Sequence, residues 1–440
     1  MGSIVRRKRR LKLAVTATLT SCVLYIVVQA SFQIFDRHEI HFSDDWIPRR
    51  NIKQFGNIHL ENKTFAFMIP QTYVKRRNRM IDSCVSLPPK PSMYGEELFR
   101  QHLLVDRGRH LVFCGIEKVG LTFWRRFFSI LNDAHKSSPF DIRAFDAYIP
   151  GTVDTMYNKT MREYNHVMTS SLSVMFSRDP FERIFSAYVD KFVSPNINFW
   201  IDKGTGIIRK YRKFPEFSSL RCGNDVTFAE FVKYVVNHAH GQEKVDSHFV
   251  TITEHCRPCH IRYDVIGKMA TFYNDTMFLI RTVGHTKMRD KLQDQFIDAY
   301  VRDQFSHSVD LLFFYKRDLV DRHKCVPSFH TAQQRMWRAL QLRGLISLET
   351  KYPIKRSERD DISKDQLLQV LFNSLKDRVP RVHKKDAMFE AYASVDFVDL
   401  HKLRDVFRSD CDLFDYDCSP SSIFNQSIPR KYPDRFFNFE

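Results

Sequence analysis

The stretch Leu111–Phe128, "LVFCGIEKVGLTFWRRFF", decides the fold. It opens with a short apolar run, His110 to Cys114, that reads as a strand. It passes through Gly115 and the tetrapeptide Glu117-Lys118-Val119-Gly120. It then places Trp124, Phe127, Phe128 and Leu131 at i, i+3, i+4 and i+7, the buried stripe of a helix. Strand, short lysine- and glycine-bearing loop, helix is an order that builds an anion pocket. The first helical N–H groups lack internal partners and sit at the positive end of the helix dipole. Gly120 lets backbone approach a ligand, and Lys118 adds a full positive charge. The unit is not a nucleotide-binding Walker loop, because G-x-x-x-x-G-K-[ST] is absent. By itself it is equally an ordinary strand-to-helix turn.

A second unit of the same kind follows in "SLSVMFSRDPFERIFSAYVDKF", Ser171 to Phe192. Leu172 to Phe176 reads as a strand, and Arg178-Asp179-Pro180 as the turn, with proline suited to the first helical position. Phe181, Ile184, Phe185 and Tyr188 form the apolar stripe. Glu182, Arg183, Ser186 and Asp190 fall on the opposite face at 100° per residue. Arg178 offers a planar fork of donors suited to phosphate. Two such loops in one sheet suit a ligand with two separate anionic groups.

The whole chain, 440 residues with 43% hydrophobic and 14% aromatic side chains, has ample material for a large core. Apolar runs alternate with helical patterns from about residue 100, which predicts an α/β domain with a central, mainly parallel sheet flanked by helices. Of the formal net charge of +17, six positive charges lie within the first twelve residues, which leaves +11 on the remainder. That balance implies anionic ligands or surfaces. Leu13 to Phe35 is a run of 23 residues without a charged side chain. It is long enough to span a bilayer, and the basic cluster before it orients everything after Phe35 across the membrane. A cleaved signal peptide ending near Val28–Ala30 is the alternative, but the run exceeds the usual signal core of about 7–15 residues. A lumenal protein of this kind has no nucleic acid to read. Asn62, Asn158, Asn274 and Asn425 head N-glycosylation sequons.

The expected organisation is a cytoplasmic tail (1–12), a transmembrane anchor (13–35), a lumenal stem (36–98) and a core (99–284). A charged helical insertion (285–395) and a closing segment (396–440) complete it. In the insertion Leu367, Leu368, Leu371 and Leu375 share a face. Eight cysteines lie beyond the anchor, and in an oxidising lumen some pair; Cys256/Cys259 and Cys411/Cys418 are the local candidates. A zinc site at Cys256-x-x-Cys259, beside His255 and His260, lacks a second well-spaced ligand pair.

These residues resemble the Golgi carbohydrate sulfotransferases related to the HNK-1 and the chondroitin/dermatan 4-O-sulfotransferases. Glu117-Lys118-Val119-Gly120-Leu121-Thr122-Phe123-Trp124 is similar to that family's Pro-Lys-Val-x-Cys-Thr-x-Trp loop for the 5′-phosphosulfate of 3′-phosphoadenosine 5′-phosphosulfate (PAPS). Arg178-Asp179-Pro180-Phe181-Glu182-Arg183-Ile184-Phe185-Ser186-Ala187-Tyr188 is similar to its 3′-phosphate segment. "HFVTITEHCRPCHIRYDVIGKMAT" (His248 to Thr271) and "LRDVFRSDCDLFDYD" (Leu403 to Asp417) match two further blocks.

The resemblance implies a P-loop-like sulfotransferase fold, PAPS as co-substrate, no metal, an anionic glycan acceptor, and a single-pass Golgi protein with a lumenal catalytic domain. It implies that residues 117–123 and 178–186 bind the donor and that Lys118 stabilises the leaving phosphate oxygen. His248 is the expected general base, with Glu254 and His255 as the next candidates. The chain departs from the pattern at Glu117 (proline in the family), Leu121 (cysteine) and Phe123 (asparagine). A carboxylate at 117 is costly beside a phosphosulfate unless it points away or pairs with a base such as Arg125 or Arg126. A non-catalytic glycan-binding descendant is the competing expectation, and another nucleotide-using transferase is a third.

Overall fold

A strand that ends in a four-residue turn can only return antiparallel, because a parallel return needs a crossover of about a dozen residues or more. That rule shapes the sheet. The computed structural model describes residues 69–87, 95–132, 136–239, 246–354, 362–377, 382–425 and 436–437, all within one compact unit, Leu60–Glu440. The described residues hold five strands, β1 (Leu103–Asp106), β2 (Leu111–Cys114), β3 (Asp154–Thr155), β4 (Leu172–Ser177) and β5 (Val265–Lys268), in the order β3-β1-β2-β4-β5. β2, β4 and β5 are parallel, with Phe113 opposite Val174 and Met175 opposite Ile266. β1 runs antiparallel to both β2 and β3. The expected mainly parallel sheet is therefore a mixed one: the turn from Arg107 to His110 makes β1 and β2 a hairpin, a signal masked by the apolar run beside it.

Every residue of β2 and β4 is buried, as befits strands covered on both faces. The helix Leu121–Asn132 lays Trp124 and Phe128 on the sheet, with Phe113 stacked on Trp124 at 4.5 Å between ring centres. The helix Pro180–Tyr188 follows β4 and buries Phe181, Ile184, Phe185 and Tyr188 in a second aromatic cluster with Phe228, Phe231 and Tyr392.

The helix Gln71–Ser86 lies in the stretch that the sequence reads as stem, yet it belongs to the folded unit. Tyr73 and Arg76 both bond the Asp275 carboxylate, at 3.0 and 2.8 Å, and Cys84 is joined to Cys259. The remaining disulfides are Cys114–Cys256, Cys222–Cys325 and Cys411–Cys418. The local Cys256/Cys259 pairing is thus corrected. Each of these cysteines reaches to a different element, one to β2 and one to the Gln71–Ser86 helix, and no thiolate pair is left for zinc. Cys411/Cys418 pairs as expected.

Among the described residues of 285–395 lie the helices Thr286–Gln293, Phe296–Arg317, Phe329–Leu342, Lys364–Asn373 and Val382–Ala393. They build a core in which Val309, Leu312, Trp337, Leu367 and Leu371 pack with Trp200. The closing helix Phe397–Phe414 sends Asp410 to cap the helix Ile252–Cys256, accepting from the Ile252 and Thr253 N–H groups at 2.7 and 2.9 Å. Among the described residues no helix is long and apolar enough to cross a membrane; Leu13–Phe35 and Asn62 lie outside them.

Candidate active site at the carboxyl ends of β2 and β4

In an open α/β sheet, ligands bind beyond the carboxyl ends of the parallel strands. The two loops singled out in the sequence emerge there side by side, after β2 and after β4. Arg178 Nη1 donates to the Lys118 carbonyl at 2.9 Å, and Arg183 Nε donates to the Glu117 carbonyl at 3.0 Å. The second loop thus grips the backbone of the first. That grip supports an unusual conformation, since Lys118 has φ +64, a left-handed backbone that costs a non-glycine residue roughly 1–2 kcal/mol. Gly120 follows with φ +83, and a Cβ there would meet the Phe272 ring at 3.0 Å. No acidic residue stands in the first turn of the helix that begins at Leu121, so its N-terminus is open to an anion.

Lys118 Nζ lies 3.0 Å from Asp190 Oδ2, in the turn Val189–Val193 that continues the Pro180–Tyr188 helix. The same carboxylate also faces Lys191 at 3.3 Å and Arg343 at 3.0 Å. One acid thus holds three bases, a surplus of positive charge suited to an anionic ligand. Burial pushes the Lys118 ammonium down to about 8, and Asp190 restrains that fall.

Glu117 turns out of this cluster, and its partners are not Arg125 or Arg126. Its Oε1 accepts from His102 Nε2 and Ser247 Oγ, both at 3.0 Å, and His255 Nε2 lies 3.3 Å from Oε2. Burial raises this carboxyl, but its imidazole neighbours outweigh burial and hold it well below the usual range. Burial likewise brings His255 down to about 4, so this imidazole is neutral near pH 7 and donates its N–H to the Ser247 carbonyl at 2.7 Å. Glu117 therefore leans first on His102 and the Ser247 hydroxyl. His102, Glu117 and His255 each bring a possible ligand atom within 4.8 Å of the others, so a metal ion could be held there. The hydrogen bonds already within the group explain it as a strut behind the loop. Arg125 instead donates to the Ala147 carbonyl, and Arg126 pairs with Asp303.

The other expected residues divide by location. Val119 and Phe123 are buried, Phe123 among Phe140, Phe272 and Phe296. Leu121 and Thr122 are half-buried at the helix entrance, with the Thr122 hydroxyl 2.9 Å from that of Tyr148. Asp179 caps its helix by accepting from Glu182 N–H at 2.9 Å, and Pro180, Phe181, Ile184 and Phe185 pack in the core. Glu182 sits between Arg178 and Lys384. Ser186 is half-buried on the same helix. Arg183 does not share the open face with Glu182: it is fully buried and also donates to the Val250 carbonyl.

His248 Nδ1 lies 2.6 Å from Asp246 Oδ1, which leaves Nε2 as the basic nitrogen when that hydrogen bond carries the proton. Its ring stands edge-on to Phe199, whose face lies under Lys191 Nζ at 4.6 Å, so His248 belongs to the surroundings of the cation cluster. His255 is inaccessible, and the Glu254 N–H donates to Thr251 Oγ1, which caps that helix. Sequence reasoning missed Lys191 and Arg343. Lys191 stands next to a residue already grouped with the site, whereas no local signal marks Arg343.

The sulfotransferase family profile matches residues 101–310. Carbohydrate sulfotransferase 11 of Rattus norvegicus is 33% identical over 244 residues, covering 52% of this chain and 68% of that protein. Carbohydrate sulfotransferase 14 of Danio rerio is 30% identical over 247 residues, covering 54% and 65% respectively. Carbohydrate sulfotransferase 9 of Homo sapiens is 27% identical over 219 residues, covering 49% of each. No solved structure matches at a significant level.

Proposed function

Because the chain belongs to the carbohydrate sulfotransferase family, we propose that it transfers a sulfuryl group from PAPS to a hydroxyl of an anionic glycan, with Lys118 at the leaving phosphate and His248 as general base. The observation that carries this reading is the junction of the two loops, in which Arg178 and Arg183 hold the carbonyls of Lys118 and Glu117 at the mouth of the sheet.

The residues present suit a donor with two anionic ends. Lys118 and the N–H groups that open the Leu121–Asn132 helix form one anion site. Arg178, whose buried Nε has no hydrogen-bond partner among the described residues, and Ser186 offer a second. PAPS supplies an activated sulfuryl group on a good leaving group. Sulfuryl transfer, like phosphoryl transfer, then asks the protein for positioning and charge neutralisation. Lys118, protonated below about 8, provides that charge. Asp190 holds its ammonium in place, and His248, oriented by Asp246, takes the acceptor proton at Nε2.

A non-catalytic glycan binder is the second reading, and Glu117 is what favoured it. With that carboxylate turned onto His102 and Ser247, the cradle keeps its positive character. We further place the protein in the Golgi membrane, anchored by residues 13–35 with its catalytic part lumenal. The exposed positions of Asn158, Asn274 and Asn425 support glycosylation there.

Labelled-sulfate transfer from PAPS to desulfated chondroitin, dermatan, heparosan and glucuronate-capped glycans tests the reading. Lys118→Ala is expected to lower turnover by about 10²–10³-fold, the scale of removing one main electrostatic stabiliser. A folded protein that neither transfers sulfate nor binds 3′,5′-adenosine bisphosphate would sink it.

A further inference from the structure

One buried carboxylate joins the loop that carries Lys118 to the turn that carries His248. Glu117 Oε1 accepts from Ser247 Oγ at 3.0 Å and from His102 Nε2 at 3.0 Å. Ser247 opens the short turn Ser247–Phe249, capped by Asp246, whose Oδ1 accepts from the His248 N–H at 3.0 Å. The Ser247 carbonyl accepts from His255 Nε2 at 2.7 Å. Glu117, one residue before Lys118, thus grips the residue before His248.

Two other bridges join the same segments at different points. The Arg183 guanidinium donates to the Glu117 and Val250 carbonyls. The Cys114–Cys256 disulfide runs from the end of β2 to the helix Ile252–Cys256, which also bears His255. These hold Val250 and Cys256, whereas the Ser247 end, beside His248, rests on Glu117 and His255. His248 and Lys118 border one cation cluster. The His248 ring stands edge-on to Phe199, whose face lies under Lys191, and Lys191 and Lys118 share the Asp190 carboxylate. A buried ionic group adds little stability over well-packed apolar residues, so stability alone is a weak reason for a carboxylate here. The resembling family loop has proline at this position, which offers no side-chain acceptor, so the tie is particular to this chain.

Resting on the sulfotransferase reading, we propose that Glu117 and Ser247 are positioning residues: their carboxylate–hydroxyl tie sets the base-bearing turn against the donor loop, so that His248 is held at a fixed distance from Lys118. Transfer needs the acceptor oxygen, the sulfuryl group and the leaving oxygen in line, and a misplacement of about 1 Å can cost roughly 10²-fold in rate. The tie spans 130 residues of chain, so it registers two segments that sequence keeps apart. A charged acceptor strengthens the hydroxyl's bond, and His102 on the same oxygen holds the carboxylate away from the cradle.

Steady-state kinetics of Ser247→Ala, Ser247→Thr, Glu117→Gln and the double variant Ser247→Ala/Glu117→Gln test this, with 3′,5′-adenosine bisphosphate binding measured alongside. Ser247→Ala, at a half-buried position, is expected to lower kcat by about tenfold and to leave PAPS KM and bisphosphate affinity unchanged. Ser247→Thr keeps the hydroxyl and restores kcat. Glu117→Gln lowers kcat by less, and the double variant loses no more than Ser247→Ala alone, because both act through one bond. An unmoved kcat in Ser247→Ala, losses that multiply in the double variant, or losses that fall on donor affinity instead would overturn the proposal. Hydrogen exchange reads the tie without turnover. Bisphosphate, by ordering the donor loop, slows exchange at residues 246–250 in the unsubstituted protein and not in Ser247→Ala. Equal slowing in both proteins, or none in either, would also overturn it. An unsubstituted protein that shows this exchange difference but transfers no sulfate would fail the catalytic reading and keep the tie.

Discussion

Lys118 and Arg343 reach the same carboxylate by different routes. Lys118 comes from a loop between a strand and the next helix, and its grip by Arg178 spans 60 residues between neighbouring parallel strands. Arg343 comes from the helical region and meets Asp190 across 153 residues, with no sheet to guide it. The first route is local chemistry repeated twice. The second depends on a separate hydrophobic core around Trp337 and Trp200, and on the Cys222–Cys325 link, to bring a charge back to the sheet. The cradle rests on the sheet, whereas the helical region is an arm held by its own core and the Cys222–Cys325 link.

Breaking the cradle has the largest expected effect. Arg183→Met leaves the Glu117 and Val250 carbonyls buried without their donor, which should cost about 3 kcal/mol or more and abolish transfer. A denaturant midpoint equal to that of the unsubstituted protein would show that the two loops do not depend on this guanidinium. Loosening the arm comes next. Cys222→Ser with Cys325→Ser removes a link across 103 residues and is expected to lose about 2–4 kcal/mol. Hydrogen exchange should rise in residues 285–395 and acceptor KM should increase, while donor affinity holds; equal losses for donor and acceptor would erase the distinction between cradle and arm.

The smallest effect sharpens the comparison at the shared carboxylate. On the proposed mechanism the rate needs protonated Lys118 and falls as pH rises through the lysine's value of about 8. Asp190 opposes the downward push of burial, so Asp190→Asn lets Lys118 drop further, and the alkaline decline begins about one pH unit lower. A pH–rate profile with an unmoved alkaline limb would mean that Lys118 is not the group that titrates.

Much of the site was legible because strand, loop and helix signals are written in contiguous residues. Trp124, Phe127, Phe128 and Leu131 are buried as their spacing predicts, and so are Phe181, Ile184, Phe185 and Tyr188. The same helical wheel misplaced Arg183. A guanidinium can leave the polar face when buried carbonyls await it, and periodicity carries no record of those carbonyls. The Cys256/Cys259 pairing failed for a related reason: nearness in sequence is a weak guide once both cysteines can reach partners on other elements.

The sequence by itself determined the two strand–loop–helix units, the apolar stripes that set their helices against a sheet, and the family. Each depends on residue type at short, fixed spacing, where backbone geometry leaves little choice. Only the tertiary structure decided that β1 and β2 form a hairpin, that Glu117 faces His102 and Ser247 instead of the cradle, and that Lys191 and Arg343 join Lys118 on one carboxylate. Those outcomes depend on which distant groups burial brings together, and a buried charge takes the partner that the packed chain places beside it.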